Sequence, residues 1–283
     1  MTKPEQLATL VCRALEEDVG QGDVTSMWTL PPGLRGRGAF VSKGQGILAG
    51  MEVAGEVFRQ VSPEVRLDAL RVDGAAIAPG DILGTVKGPM AAILTAERTA
   101  LNLMQRMSGI ATATRRYVDA VRGTRAVILD TRKTTPLLRH LEKVAVIHGG
   151  GANHRFGLFD MLLIKENHLA AAGGGAAAIQ RAKQNQKDLG IPSPLALEVE
   201  IQDLSQLDDV LEAGVDRIML DNFPLKAIRV AVRRIKGKIP IEVSGGVTLE
   251  NVRNIARCGV DFISVGALTH SAPAHDFSLL VPS

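Results

Sequence analysis

The chain has 283 residues, 46% hydrophobic and 22% charged, with a formal net charge of +3. That is the make-up of an ordinary soluble globular protein with length for one large domain or two smaller ones. The small net charge, the lack of a like-charged tail and the 3% aromatic content argue against a nucleic-acid partner.

The opening MTKPEQLATLVCRALEEDVG carries Glu5, Glu16, Glu17 and Asp18 and has no apolar core, so it does not read as a signal peptide. No run approaches the roughly 18 apolar residues of a membrane span. Cys12 and Cys258 lie far apart in helix-like patterns and read as buried small hydrophobes. Together these features predict a cytoplasmic protein with no membrane partner.

Leu7, Leu10, Val11, Ala14 and Leu15 predict a first helix over 5–18, ended by GQGD at 20–23. Short strands follow at 39–41, 47–49 and 82–86, interrupted by a helix near 51–60 and punctuated by the turn-like APGD at 78–81. Pro89 then opens a helix from Met90 to about Arg106, and a second helix is expected around 112–122, after Ser108 and Gly109. We place the domain boundary near Gly109: residues 1–109 form a small α+β unit, and residues 110–283 a second domain whose last residues can pack back on the first.

From Ala126 strand-like runs at 126–130, 160–164, 195–201, 217–221, 239–243 and 260–265 alternate with helical patterns at 136–146, about 170–189, 204–213, 225–236 and 248–257. Such alternation predicts a parallel sheet. Polar groups stand at or just past the end of each strand: Arg132 and Lys133, then Lys165, Glu200, Asp221, Ser244 and Gly266. Functional groups spread over many strand ends favour a (β/α) barrel over an open sheet, here with fewer than eight strands.

Arg132, Lys133, His154, Arg155 and Lys165 form a basic cluster suited to carboxylate or phosphate. The glycine loops at 244–248 and 265–270 follow the last two strands, where backbone N–H groups of barrels receive phosphate. Glu200 and Asp221 end apolar strands; each is either ion-paired or shares a Mg²⁺ ion with substrate phosphates. Glu198 is assigned a structural role on the side of the strand opposite Glu200, and His148 a structural hydrogen bond; His168 and His270 stay undecided on the residues alone. The HGGG run at 148–151 lacks the GxSxG partner of an esterase, and GQG at 44–46 lacks the helix and spacing of a dinucleotide loop. The three glycines at 173–175 read as a loop or helix start.

The ordered motifs DTRKTTP (130–136), GGGANHR (149–155), LIK (163–165), EVE (198–200), LDN (220–222), SGG (244–246) and VGALTHS (265–271), with ER at 97–98 and LNL at 101–103, resemble the quinolinate phosphoribosyltransferase family over nearly the whole chain. The resemblance implies an N-terminal α/β sandwich joined to an incomplete (β/α) barrel. It implies a homodimer, or a higher assembly of dimers, with active sites shared between subunits. The implied reaction joins quinolinate to 5-phosphoribosyl-1-diphosphate with Mg²⁺, releasing diphosphate and CO₂.

Carried over by motif, Thr131, Arg132, Lys133, His154, Arg155, Lys165 and His270 resemble substrate contacts, and Arg98 the arginine donated across the dimer. Ser244, Gly245, Gly246, Val265, Gly266 and Ala267 resemble the 5-phosphate cradle. Glu200 and Asp221 resemble the acids beside ribose and metal, directly or through water or substrate, and with Lys133 and Lys165 make the implied catalytic set. Leu137 departs from the pattern, standing where the family has glycine. A paralogue of molybdenum metabolism and a non-catalytic phosphate-binding barrel are the competing readings.

Overall fold

The structure, a computed structural model, describes residues 4–190 and 193–281. It divides into two compact units. One takes in the chain up to Arg115, Thr134–Gly150 and the chain from Ala267 on; the other takes in Arg116–Lys133 and Gly151–Gly266. Among the described residues no helix is long and apolar enough to cross a membrane.

The first unit starts with α1 (Pro4–Val19), α2 (Val24–Thr29), β1 (Arg35–Ser42), β2 (Gly46–Ile47), α3 (Met51–Val61), β3 (Arg66–Ala69), β4 (Ala76–Ile77), β5 (Ile82–Pro89) and α4 (Met90–Ala120). Asp23 caps α2 by accepting from Ser26 N at 3.0 Å, leaving Met27 and Trp28 exposed. Apolar residues at 53, 54, 57 and 58 bury one face of α3, and Phe58 meets Phe40 of β1 edge-on with ring centres 5.9 Å apart. Truncating such a buried phenylalanine costs about 3–5 kcal/mol.

Two expectations change here. The predicted helices on either side of Ser108 and Gly109 are one helix, α4. Gly109 serves close approach rather than breakage, because a Cβ there would collide with the Pro273 carbonyl oxygen. Ser108 meanwhile turns its hydroxyl to the backbone of Ala49. Cys12, on α1, is exposed, and Cys258, in the turn after residues 252–256, is partly so, where both were expected to be buried.

The second unit contributes β6 (Val127–Leu129). After α5 (Arg139–His148), which belongs to the first unit, come β7 (Leu162–Ile164), α6 (Glu166–Ala171), α7 (Gly175–Asp188), β8 (Leu197–Ile201), a 3₁₀ turn at Leu204–Gln206 and α8 (Leu207–Ala213). Then follow β9 (Arg217–Asp221), α9 (Leu225–Ile235), β10 (Ile241–Ser244), α10 (Val252–Ala256) and β11 (Phe262–Ser264). The predicted helix over about 170–189 is two helices, parted by left-handed Gly173 and Gly174.

The six strands form one sheet in the order β6-β11-β10-β9-β8-β7, with every pairing parallel. Consecutive strands β6 and β7 are its two edges, so the barrel is incomplete between them. At the β6 edge Ala152 bridges Leu129. The chain returns to the first unit in α11 (Ala267–His270) and β12 (Phe277–Leu280), and β12 pairs antiparallel with β1. The sheet of that unit runs β12-β1-β5-β3.

Candidate active site

Parallel strands bring all their C-terminal ends to one edge of the barrel sheet, and the polar groups gather there. Strand registers define the inner face. Glu198 lies beside Arg217, Glu200 and Glu242 flank Met219, and Ser244 lies beside Asp221. Glu198 and Glu200, two residues apart, share that face, which corrects the opposite-side expectation. Leu197, Val199 and Ile201 take the other face, and all five residues are buried.

Deepest on the inner face is a charge quartet. Glu198 and Glu242 are each essentially unexposed, and His154 Nε2 stands 3.1 Å from a Glu198 oxygen and 3.4 Å from a Glu242 oxygen. Arg217 reaches Glu242 at 3.0 Å and lies 4.1 Å over the Phe262 ring. Burial alone lowers the His154 pKa, but the two carboxylates more than reverse this, raising it to about 9. Burial raises the Glu198 carboxyl, whereas His154 and Arg217 outweigh burial at Glu242 and lower it. These three acid and imidazole groups have the spacing of a metal cluster. Two cations already balance the two carboxylates, however, so the quartet closes on itself without a divalent ion.

His154 was expected among the substrate contacts. Its side chain is 6% exposed, and its Nδ1 lies 2.7 Å from Arg155 N. The backbone N–H of His154 donates to the buried Asp130 carboxylate at 2.8 Å. The ring therefore braces the chain that presents Arg155. Arg155 donates to Met161 O, and its pKa is lowered by burial first and then by the charge of Arg132. Two guanidiniums held near enough to repel one another make a ready site for an anion.

Above the quartet, Lys165 follows β7 and donates through Nζ to Glu200 Oε2. His168 accepts from Lys165 N at 3.0 Å through Nδ1, so this histidine fixes the start of α6. Lys133 N donates to Thr131 Oγ1, shaping the loop after β6. Asp221 ends β9, half-buried. Glu200 and Asp221 thus supply one carboxylate each from neighbouring strands, a donor set that suits Mg²⁺ retaining water and sharing substrate phosphates.

Ser244 ends β10, and Gly245 and Gly246 follow in left-handed conformation, with φ of +85° and +59°. Val265 N donates to Leu129 O, placing Gly266 just past the strand end. Ala267 and His270 lie on α11 and Arg98 lies exposed on α4, all in the first unit. His270 Nδ1 is 2.6 Å from Ser271 Oγ.

Leu137 has φ of +68° and is 92% exposed. Leu138 N bonds to Thr135 O at 3.1 Å, so Pro136 and Leu137 are the two central residues of a tight turn. A positive φ at its second central position is the demand that glycine ordinarily meets. Sequence reasoning passed over Glu242, Arg217 and Asn222. A charged residue inside each of two apolar strand runs was the available signal for the first two.

Family models for the quinolinate phosphoribosyl transferase N-terminal and C-terminal domains match residues 23–108 and 110–280. The chain is 45% identical over 276 residues to the nicotinate-nucleotide pyrophosphorylase [carboxylating] of Mycobacterium leprae, covering 94% of each. It is 43% identical over 291 residues to the chloroplastic enzyme of that name from Arabidopsis thaliana, covering 97% of this chain and 82% of the relative. The solved nicotinate-nucleotide pyrophosphorylase of Francisella tularensis superposes with a TM-score of 0.94 at 38% identity, covering 100% of this chain and 98% of that one. The chain belongs to the quinolinate phosphoribosyltransferase family.

Proposed function

We propose that this chain transfers the phosphoribosyl group of 5-phosphoribosyl-1-diphosphate to quinolinate, giving nicotinate mononucleotide, CO₂ and diphosphate in de novo NAD biosynthesis. The observation that carries this reading is the Lys165–Glu200 ion pair at the ends of β7 and β8, with Asp221 ending the next strand and the partly buried Arg155 within the field of Arg132. Repelling guanidiniums at the strand ends suit a substrate ring bearing two carboxylates. The family's matches do not favour a molybdenum-metabolism paralogue or a non-catalytic barrel.

In this reading Arg132, Lys133 and Arg155 hold the quinolinate carboxylates, with Thr131 and His154 shaping the chain that carries them. Loops 244–246 and 265–266 receive the 5-phosphate through backbone N–H groups. Glu200, ion-paired with Lys165, and Asp221 face the ribose, where breaking the bond to diphosphate leaves an oxocarbenium-like carbon. The pyridine nitrogen then attacks that carbon. Once ribosylated, the ring accepts the electron pair of the adjacent carbon–carboxylate bond, CO₂ departs, and a proton takes its place. Glu200 and Asp221 would hold Mg²⁺, directly or through water and diphosphate, and the ion would neutralise the leaving diphosphate. Holding a dianion against the ribose carbon is the protein's main contribution, and no covalent nucleophile is needed.

The proposal includes a cytoplasmic homodimer in which Arg98 of the partner subunit completes each site. Purified protein mixed with quinolinate, phosphoribosyl diphosphate and Mg²⁺ should release CO₂ and nicotinate mononucleotide in equal amounts. No product above a protein-free control would overturn the reading.

A further inference from the structure

Asn222 is one of three non-glycine residues with positive φ among those described, at +57°. The other two have local reasons: Lys236 caps the end of α9, and Leu137 sits in the Thr135–Leu138 turn. Asn222 instead follows a strand. Its N–H donates to Ser244 O at 2.9 Å, carrying the β9–β10 ladder one step past the Asp221–Ser244 pair. The left-handed bend then turns its side chain back on both neighbours. Nδ2 donates to Asp221 Oδ2 at 2.9 Å. The rest of the amide lies against Gly245, where an added Cβ would overlap it.

The loop is also gripped from its far side. Asn251 Nδ2 donates to Gly246 O at 2.8 Å, and Asn251 Oδ1 accepts from Thr248 N at 2.9 Å. Left-handed backbone costs a side-chain-bearing residue about 1–2 kcal/mol, and asparagine is among the few that adopt it routinely. No other residue type offers all three features needed here: tolerance of that backbone, a donor for a carboxylate, and a flat amide against a glycine. Aspartate would face Asp221 with a like charge, and glycine would keep the bend but lose the amide.

We propose that Asn222 is a positioning residue for phosphoribosyl diphosphate. Its amide holds the Asp221 carboxylate and, by packing on Gly245, sets the backbone of loop 244–246 that receives the 5-phosphate. This rests on the reading of the site given under the proposed function.

The test uses full-length Asn222→Gly, Asn222→Asp and wild-type protein. Asn222→Gly suits the left-handed backbone and should stay folded, which its melting temperature checks, so a change in ligand handling reports the missing amide. Two readouts are needed: steady-state constants for each substrate, and calorimetric binding of ribose 5-phosphate without metal.

Losing the hydrogen bond to the charged Asp221 carboxylate, together with the amide packing on Gly245, should raise the KM for phosphoribosyl diphosphate about tenfold or more, and weaken ribose 5-phosphate similarly. The KM for quinolinate should stay within about twofold. Asn222→Asp should be worse on both readouts. Wild-type constants in Asn222→Gly, or equal KM increases for both substrates, would overturn the proposal. If wild-type protein forms no nicotinate mononucleotide, the reaction assignment fails, and the ribose 5-phosphate comparison still decides the role of Asn222.

Discussion

Lys165 and Glu200 stand at the ends of neighbouring strands and share an ion pair in which the glutamate side chain is 8% exposed and the lysine side chain 46% exposed. A buried acid with a half-solvated cation is an asymmetric pair, in which losing the lysine strands a charge while losing the acid does not. Lys165→Ala should lower kcat/KM about 10²–10³-fold, the usual effect of deleting a preorganised charge. It should also destabilise the fold by about 1–3 kcal/mol, because Glu200 loses its partner. Adding Glu200→Gln should restore the stability and not the activity. Unaltered turnover in Lys165→Ala would remove this pair from the catalytic set.

Leu137 predicts a gain. Its side chain is almost wholly solvated, so Leu137→Gly forfeits no packing and relieves a left-handed backbone. Against the greater unfolded-state freedom of glycine, the net effect should be stabilisation by about 0.5–1 kcal/mol. Urea titration with an unchanged slope and a higher midpoint would show it. A lower midpoint would mean the turn is not strained.

The quartet predicts a pH dependence. His154 has a folded pKa of about 9, above its unfolded value. The imidazolium therefore contributes stability that is fully present below about pH 6.5 and is lost as pH rises through about 9. Urea midpoints should fall across that alkaline window, and His154→Gln should flatten the fall. An equal slope in the variant would assign the loss to other groups.

Arg98 predicts rescue. Inactive Arg98→Ala and inactive Lys133→Ala proteins, mixed and allowed to exchange subunits, should recover up to about one quarter of native activity. Half the dimers would be mixed, each with one intact site in two. No recovery, with exchange confirmed by mass, would count against a shared site.

The barrel strands were legible because each couples an apolar run to a polar end, and a parallel sheet needs both. Helix α4 was misread because glycine in a helix has two causes, breakage and close approach, and only the Pro273 carbonyl beside Gly109 tells them apart. Strand β12 went unread because its pairing with β1 joins residues far apart in sequence.

What the sequence determined by itself was the chemical inventory: cations, acids and glycine loops in an order that specifies the family. Composition and spacing suffice there, since charge and chain conformation are local properties. Tertiary structure alone decided which charges satisfy one another. Inner-face registers turn Glu198, Glu242 and Arg217 onto His154, and a single left-handed residue turns the Asn222 amide onto Asp221 and Gly245. Those pairings depend on strand neighbours and on the sign of one φ, which the order of residues along the chain does not display.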